Sequence, residues 1–566
     1  MRRWAAMVVG LIMVAGTLGA WRAAAAPTAG AQPAAGGPIF PPAAATAAVT
    51  TSATATSSPM ASGTVSAPAS ATPAAKPAPQ PTAVATKTAA PAPATAPAAG
   101  APPAPTFTDH PDGYAMTPPA GWTFDPSLLP DVARWNTADA SLRVYAQPVA
   151  DAAAATTYVE YSNRSVDQQW NGIRLLRLQH AGTSWFRHWV RPAMPLMHPD
   201  MREYAEWDWL TGNGVVLTVM VNATEPDFAA AYAAASNAVR SVRPVARYGS
   251  NAYALPHAPA RPAPLVPAAP GLAWGVYEPA VNPEAPSLAA VDQLQKELGA
   301  NLRVVMVYLS IGQPFPAALL RKAQAQGKVV EVTLQSWAPG NNAGRALPYA
   351  NGTSALGAIL QGRDDPYLRT FARQAAATGI PFLFRWDNEM NGDWDPWSAF
   401  QWGKDADIYV AAYRHVHDIF MTEGATDAAF VWNPNNANLP HYRWNAAALY
   451  YPGNAYVDWI GLTGYNLGTG QPGSTWQSFS QAYAATYARD RALYPGKPMI
   501  ITEFASNDAG GNKPAWIADM FRALPSFPDI RYAVWWDANQ GDLHYALDQP
   551  PAALATFGRL LRGGGQ

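Results

Sequence analysis

The chain contains no cysteine, which excludes disulfides, thiolate metal sites and a cysteine nucleophile. Charge is scarce too: 38 Lys and Arg face 39 Asp and Glu among 566 residues, for a net charge of −1. A nucleic-acid binder normally carries a basic face or stripe, so that class is set aside. The glycine-rich stretch NDAGG (507–511) lacks the spacing that cradles a phosphate. What is plentiful is proline, 55 residues crowded toward the N-terminus, and tryptophan, 22. The length implies about three domains.

Residues 1–26 begin with Arg2 and Arg3, run apolar from Ala5 to Trp21 and end in small residues before Pro27. That order is expected of a secretory signal peptide cleaved around 23–26, or of an uncleaved membrane anchor. Export follows from either reading. Residues 27–105 are almost all Ala, Pro, Thr and Ser, with Lys76 and Lys87 as charges. Such a composition buries too little apolar surface to offset ordering entropy, so a disordered, extended linker is expected. It would serve as a stalk for attachment to a cell wall or membrane, or as a plain spacer.

From 106 to 245 tryptophans and charges return. SLRVYAQPV, IRLLRLQH, SWFRHWV, AEWDWL and VVLTVMV have the composition of antiparallel strands, the last two joined by the turn TGNG (211–214). Asp227 then opens an alanine-rich helix. A small α+β domain is expected, with Trp185, Trp189, Trp207 and Trp209 either in its core or on a sugar-binding face. GYAMTPPAGW (113–122) and SVRP (241–244) resemble the small domains grouped with PsbP and Mog1.

A second proline-rich connector covers 246–268. Beyond it, residues 269–562 alternate short apolar runs with amphipathic segments. LAWGVY, LRVVMVYL, KVVEVTL, PFLFRW, AAFVWN, VDWIGL, PMIITEF and RYAVWW are eight such runs. Residues 364–379 and 404–424 carry helical periodicity and end at Gly379 and Gly424. The stretch between the fifth and sixth runs shows the weakest helical pattern. Eight strands alternating with helices predict an α/β fold, a (β/α)8 TIM barrel, whose chemistry sits at the C-terminal ends of the strands.

Two carboxylates stand at such ends. Glu389 follows the fourth run in PFLFRWDNEMNGDWDPW (381–397), and Glu503 ends the seventh in KPMIITEFAS (497–506). Arg385, Asp387, Asn388 and Asn391 share the first segment, and a buried strand tolerates such polarity only where it opens into a pocket. Two carboxyl groups about 5–5.5 Å apart serve a retaining glycosidase, one as nucleophile and one as acid/base. The acid needs a raised pKa, to which Asp387 would contribute by repulsion. Trp394 and Trp397 are expected to line sugar subsites, with Trp536 and Trp432 as further platforms or as core. Glu331 is held in reserve for Glu503. His415 and His417 are expected on a solvated helix face, with no third ligand for a metal.

RWDNEMNGDW (385–394) and YYPGNAYVDWIGLTGYN (450–466) resemble glycoside hydrolase family 26, whose motif reads R-x-x-H-E-M-N-G-x-W. The resemblance implies Glu389 as acid/base, Glu503 as nucleophile and Tyr465 as a hydrogen-bond donor to the nucleophile. Arg385, Trp394 and Trp397 lie in or beside the same motif. One position departs: the family's histidine is Asn388 here, and the wider clan uses an asparagine there to hold the sugar's 2-hydroxyl. The expectation is therefore a secreted, monomeric, cofactor-free endo-β-glycosidase acting on mannan, or on mixed-linkage glucan, xylan or exopolysaccharide. The rival expectation is a silent carbohydrate-binding or wall-tethering protein on the same barrel.

Overall fold

The computed structural model describes residues 106–250, 256–257, 262–267, 271–336 and 355–563. The signal-peptide and first-linker expectations lie outside these residues. Each of the eight apolar runs forms a parallel strand: β1 (Ala273–Tyr277), β2 (Val304–Ser310), β3 (Val329–Gln335), β4 (Phe382–Trp386), β5 (Ala428–Trp432), β6 (Trp459–Asn466), β7 (Met499–Ser506) and β8 (Ile530–Trp536). They pair in that order and close where Gly275 of β1 meets Val534 of β8. β4 and β5 are buried at every position. Strands covered on both faces have no polar side to show, which is why they read as unbroken apolar runs.

The helices fall where the periodicity puts them. Asp365–Ala376 has Pro366 in its first turn, and Asp407–Thr422 buries Ile408, Ala412, Val416 and Ile419 along one stripe. Gly379 and Gly424 follow at φ 58° and 81°, a region that costs glycine nothing. Between β5 and β6 there are two short 3-10 turns, Arg443–Asn445 and Ala447–Tyr450, where the helical pattern was weakest. Among the described residues, no helix is long and apolar enough to cross a membrane.

Before the barrel stands an antiparallel sheet of seven strands. In spatial order these are Thr123–Asp125, Ala133–Asn136, Ala140–Pro148, Val215–Ala223, Glu203–Leu210, Ser184–Val190 and Arg174–Ala181. Val215–Ala223 is buried along its whole length. Its alternate residues serve two different cores: Leu217, Val219 and Val221 pack with the helix Phe228–Ser241, whereas Val216 and Met220 belong to the core that continues into the barrel. Trp185 and Trp189 are buried, Trp189 stacking on Tyr204 at 5.1 Å, and half-buried Trp207 stacks on Tyr232 at 5.5 Å. These rings are packing elements.

The joint between sheet and barrel is ionic. Arg143 reaches Asp405 at 2.9 Å and Asp407 at 2.6 Å, and Arg134 meets Asp407 at 3.0 Å. Lys404 donates to Asn163 at 2.6 Å and to Glu206 at 2.7 Å. Its side chain is 1% exposed and that of Glu206 is 0%. A buried charge that loses its partner is costly, so Lys404→Met should lower the stability of the full chain by about 3–5 kcal/mol, read by chemical denaturation. The connector is pinned as well: the carbonyls of Pro264 and Leu265 accept from Trp459 and Tyr532, both at 2.8 Å.

Candidate active site

β4 ends in Arg385 and Trp386, and the chain then turns through Asp387 at φ 43° and Glu389 at φ 57°. Left-handed geometry is uncommon in a residue with a side chain and marks a segment held by its surroundings. Here the Glu389 N–H donates to the Asn433 carbonyl at 2.8 Å. Asn391 grips the loop after β5, accepting from the Asn435 N–H at 2.8 Å and donating to Asn438 at 2.9 Å. Glu503 sits where β7 loses register with both neighbouring strands. Such irregularities re-aim a side chain.

The Glu503 carboxylate gathers its donors from three strands. Arg385 Nη1 donates to Oε1 at 2.8 Å; Tyr465 and Tyr308 each donate a hydroxyl to Oε2 at 2.8 Å. Asn388 Nδ2 faces Oε1 at 3.5 Å, while its own Oδ1 accepts from Gln335 at 3.1 Å. Arg385 is fully buried, and Thr333, Asn433 and Tyr308 accept from three more of its N–H groups at 2.8–2.9 Å. Its planar fork is thereby fixed toward the carboxylate.

Glu389 has a different environment. Asn435 donates to it at 2.7 Å and the Trp394 indole is a second partner. Burial, then the nearby charge of Glu503, pushes its carboxyl up to about 8 despite those bonds and Arg385. Two like groups are thus driven apart in role. Half-buried Trp394 owes its seat to Gly392, where a Cβ would lie 2.5 Å from the indole. Trp536 is stacked on Tyr277 at 4.0 Å and stands edge-on to Tyr308 and Tyr465 beside Glu503.

The structure therefore brings together Glu389, Glu503, Asn388, Arg385, Tyr465, Trp394 and Trp536. Trp397 is a correction: it is fully buried, and its indole donates to the Asn388 carbonyl at 2.7 Å, so it fixes the loop from below rather than offering a face to a sugar. Trp432 is likewise core. Asp387 turns away, its carboxylate accepting from the Ser336 N–H at 2.7 Å and from the Ser336 hydroxyl, and the shift of Glu389 is led by burial and Glu503 instead. His415 pairs with Asp365 at 2.7 Å, but His417 is buried against Phe430 and Tyr456 instead of lying on a solvated face.

Glu331 lies fully buried inside the barrel, 3.2 Å from Arg385, and burial pushes its carboxyl up to about 8. No nucleophile can act from there. Glu331→Gln should keep turnover within about tenfold of the parent, a change of about 1.4 kcal/mol in barrier, as steady-state assays would read. Among the described residues, no group of three or more His, Asp or Glu is placed to hold a metal.

Tyr308, Asn435 and Gln335 are missed by the sequence reading. Their signal is the one that exposes Glu389, polar groups following an apolar run, in VMVYLS, VTLQS and FVWNPNN.

A closed parallel barrel with glutamates at the ends of β4 and β7 is an arrangement that glycoside hydrolysis could use. The family whose model matches, over residues 367–487, is glycosyl hydrolase family 26. Endoglucanase H of Acetivibrio thermocellus is 31% identical over 271 residues, 44% of this chain and 30% of that protein. A mannan endo-1,4-beta-mannosidase of Bacillus subtilis is 27% identical over 139 residues, 24% of this chain and 33% of that protein. The chain thus spans about a third of the length of each. The solved structure of a Cellulomonas fimi endo-beta-1,4-mannanase double mutant superposes with a TM-score of 0.39 at 20% identity, over 52% of this chain and 71% of that one.

Proposed function

We propose that the protein is a secreted, retaining endo-β-glycanase that cuts a β-linked polysaccharide by double displacement, with β-1,4-mannan as its first substrate. The carrying observation is the asymmetry of the pair: Glu503 is ion-paired to Arg385, while Glu389 holds its proton up to about pH 8. In the first step Glu503 attacks the anomeric carbon and Glu389 protonates the departing glycosidic oxygen. In the second, Glu389 takes a proton from the water that releases the sugar. The Asn388 amide, oriented by Gln335, is set to meet the 2-hydroxyl, and the Trp536–Tyr277 stack offers an apolar face to a pyranose ring.

Mannan leads because the family match is joined by relatives named as mannanases. Mixed-linkage β-glucan is the second reading, favoured by Asn388 in the place of the family's histidine and by the relative named an endoglucanase. Reducing-end release from mannan, mixed-linkage glucan and xylan separates them. The anomer first formed, read by NMR, must be β for a retaining enzyme. No release from any β-glycan would leave the rival reading, a carbohydrate-binding or wall-tethering protein. Export and attachment through the N-terminal segment belong to this proposal, supported by the order of charge, apolar run and small residues in 1–26.

A further inference from the structure

The turn that follows the acid/base is not held by the barrel alone. Glu389 and Lys404 both have positive φ, at 57° and 66°, and such conformations persist only where neighbours over-determine them. Between them, the segment 393–404 is held in part by the sheet domain. The Tyr161 hydroxyl, on the helix Ala152–Ser162, donates to the Asp393 carboxylate, and its ring stacks on Phe400 at 5.0 Å. Asn171 donates to the Gln401 carbonyl at 2.9 Å, and the Gln401 amide donates in turn to the Asp393 carbonyl at 3.4 Å. Ser165 accepts from the Gly403 N–H at 3.1 Å, and Ser162 accepts from the Trp444 indole at 2.9 Å.

Asp393 is therefore gripped at both its side chain and its backbone by groups that trace to the sheet domain. Its neighbour is Trp394, whose indole hydrogen-bonds the Glu389 carboxyl. A continuous path of contacts runs Tyr161, Asp393, Trp394, Glu389. We propose that Tyr161 is a positioning residue for the acid/base, and that the 106–245 domain is thereby a working part of the catalytic site rather than an appended module. The inference rests on the glycosidase reading above. Proton delivery to a leaving oxygen depends on placement at hydrogen-bond range, and Tyr161 sets that placement through the Asp393–Trp394 turn.

The test uses leaving groups, because an acid matters to a sugar alcohol and hardly at all to a dinitrophenolate. In the full chain, Tyr161→Phe removes only the hydroxyl. Its kcat/KM on the polysaccharide that the parent cleaves should fall about tenfold or more. The kcat/KM on a dinitrophenyl β-glycoside of the matching oligosaccharide should stay within about twofold. Asp393→Leu breaks the same bond from the barrel side and should give the same split. Arg134→Ala, at a distance along the same joint, should leave the ratio of the two substrates unchanged. Equal loss on both substrates by Tyr161→Phe and Asp393→Leu, or no loss on either, overturns the positioning role while the glycosidase reading stands. A parent chain silent on every glycan overturns both.

Discussion

Glu503→Ala is expected to abolish turnover of polysaccharide and aryl glycoside alike, by at least about four orders of magnitude, because it removes the carboxylate proposed to form the covalent intermediate. The loss should extend to good and poor leaving groups alike, since release of either requires the carboxylate to attack the anomeric carbon in the same step that breaks the glycosidic bond. Added azide should partly restore turnover with an activated substrate and give the α-glycosyl azide, the anion entering the space that the carboxylate leaves. The anomer is read by NMR. Undiminished hydrolysis in Glu503→Ala would remove the residue from its role, and with it the reason for Arg385, Tyr308 and Tyr465 to converge on its oxygens.

The second large effect belongs to Glu389. In the proposed role it acts as an acid only while protonated, so kcat/KM on polysaccharide should fall as pH rises through about 8. Glu389→Ala should remove this alkaline limb and cost about two to four orders of magnitude on polysaccharide. On a dinitrophenyl glycoside, kcat/KM should be nearly spared, while azide accelerates release and yields the β-glycosyl azide. Glu503→Gln takes away the second cause of the shift, the opposing charge, so the Glu389 carboxyl should then titrate lower, as carbon-detected NMR would follow. An alkaline limb that survives Glu389→Ala unchanged would assign the acid to another group.

The sequence already exposes the barrel and the centre of its site, for a physical reason. A parallel strand with both faces covered must be apolar throughout, so Glu389 and Glu503 at strand ends stand out as polar groups that need a pocket. Arg385 and Asn388 are legible for the same reason. Trp397 misleads because an indole in a loop is a platform or a peg according to what covers it, and its cover comes from Asn388 and the surrounding core. His417 misleads likewise, since Phe430 and Tyr456 close over a position that helical periodicity alone leaves outside. The ionic joint is hidden by distance in the chain: Arg143 and Asp405 are 262 residues apart, and neither stands in a motif. The strand Val215–Ala223 carries a trace of it, with Val216 and Met220 on a face that an isolated domain would leave wet.

That joint has a consequence for the chain as a physical object. Its cohesion lies in sequestered guanidinium, ammonium and carboxylate groups beside a shared apolar core, with no disulfide involved. Against the opposing effect of burial, Arg134 and Arg143 hold Asp407 down to about 2, so this part of the clasp stays ionised until pH falls through that value. Severing the polypeptide within 246–268, at an engineered protease site, should therefore yield two fragments that travel as one particle through a sizing column, in reductant and in mildly acidic buffer alike.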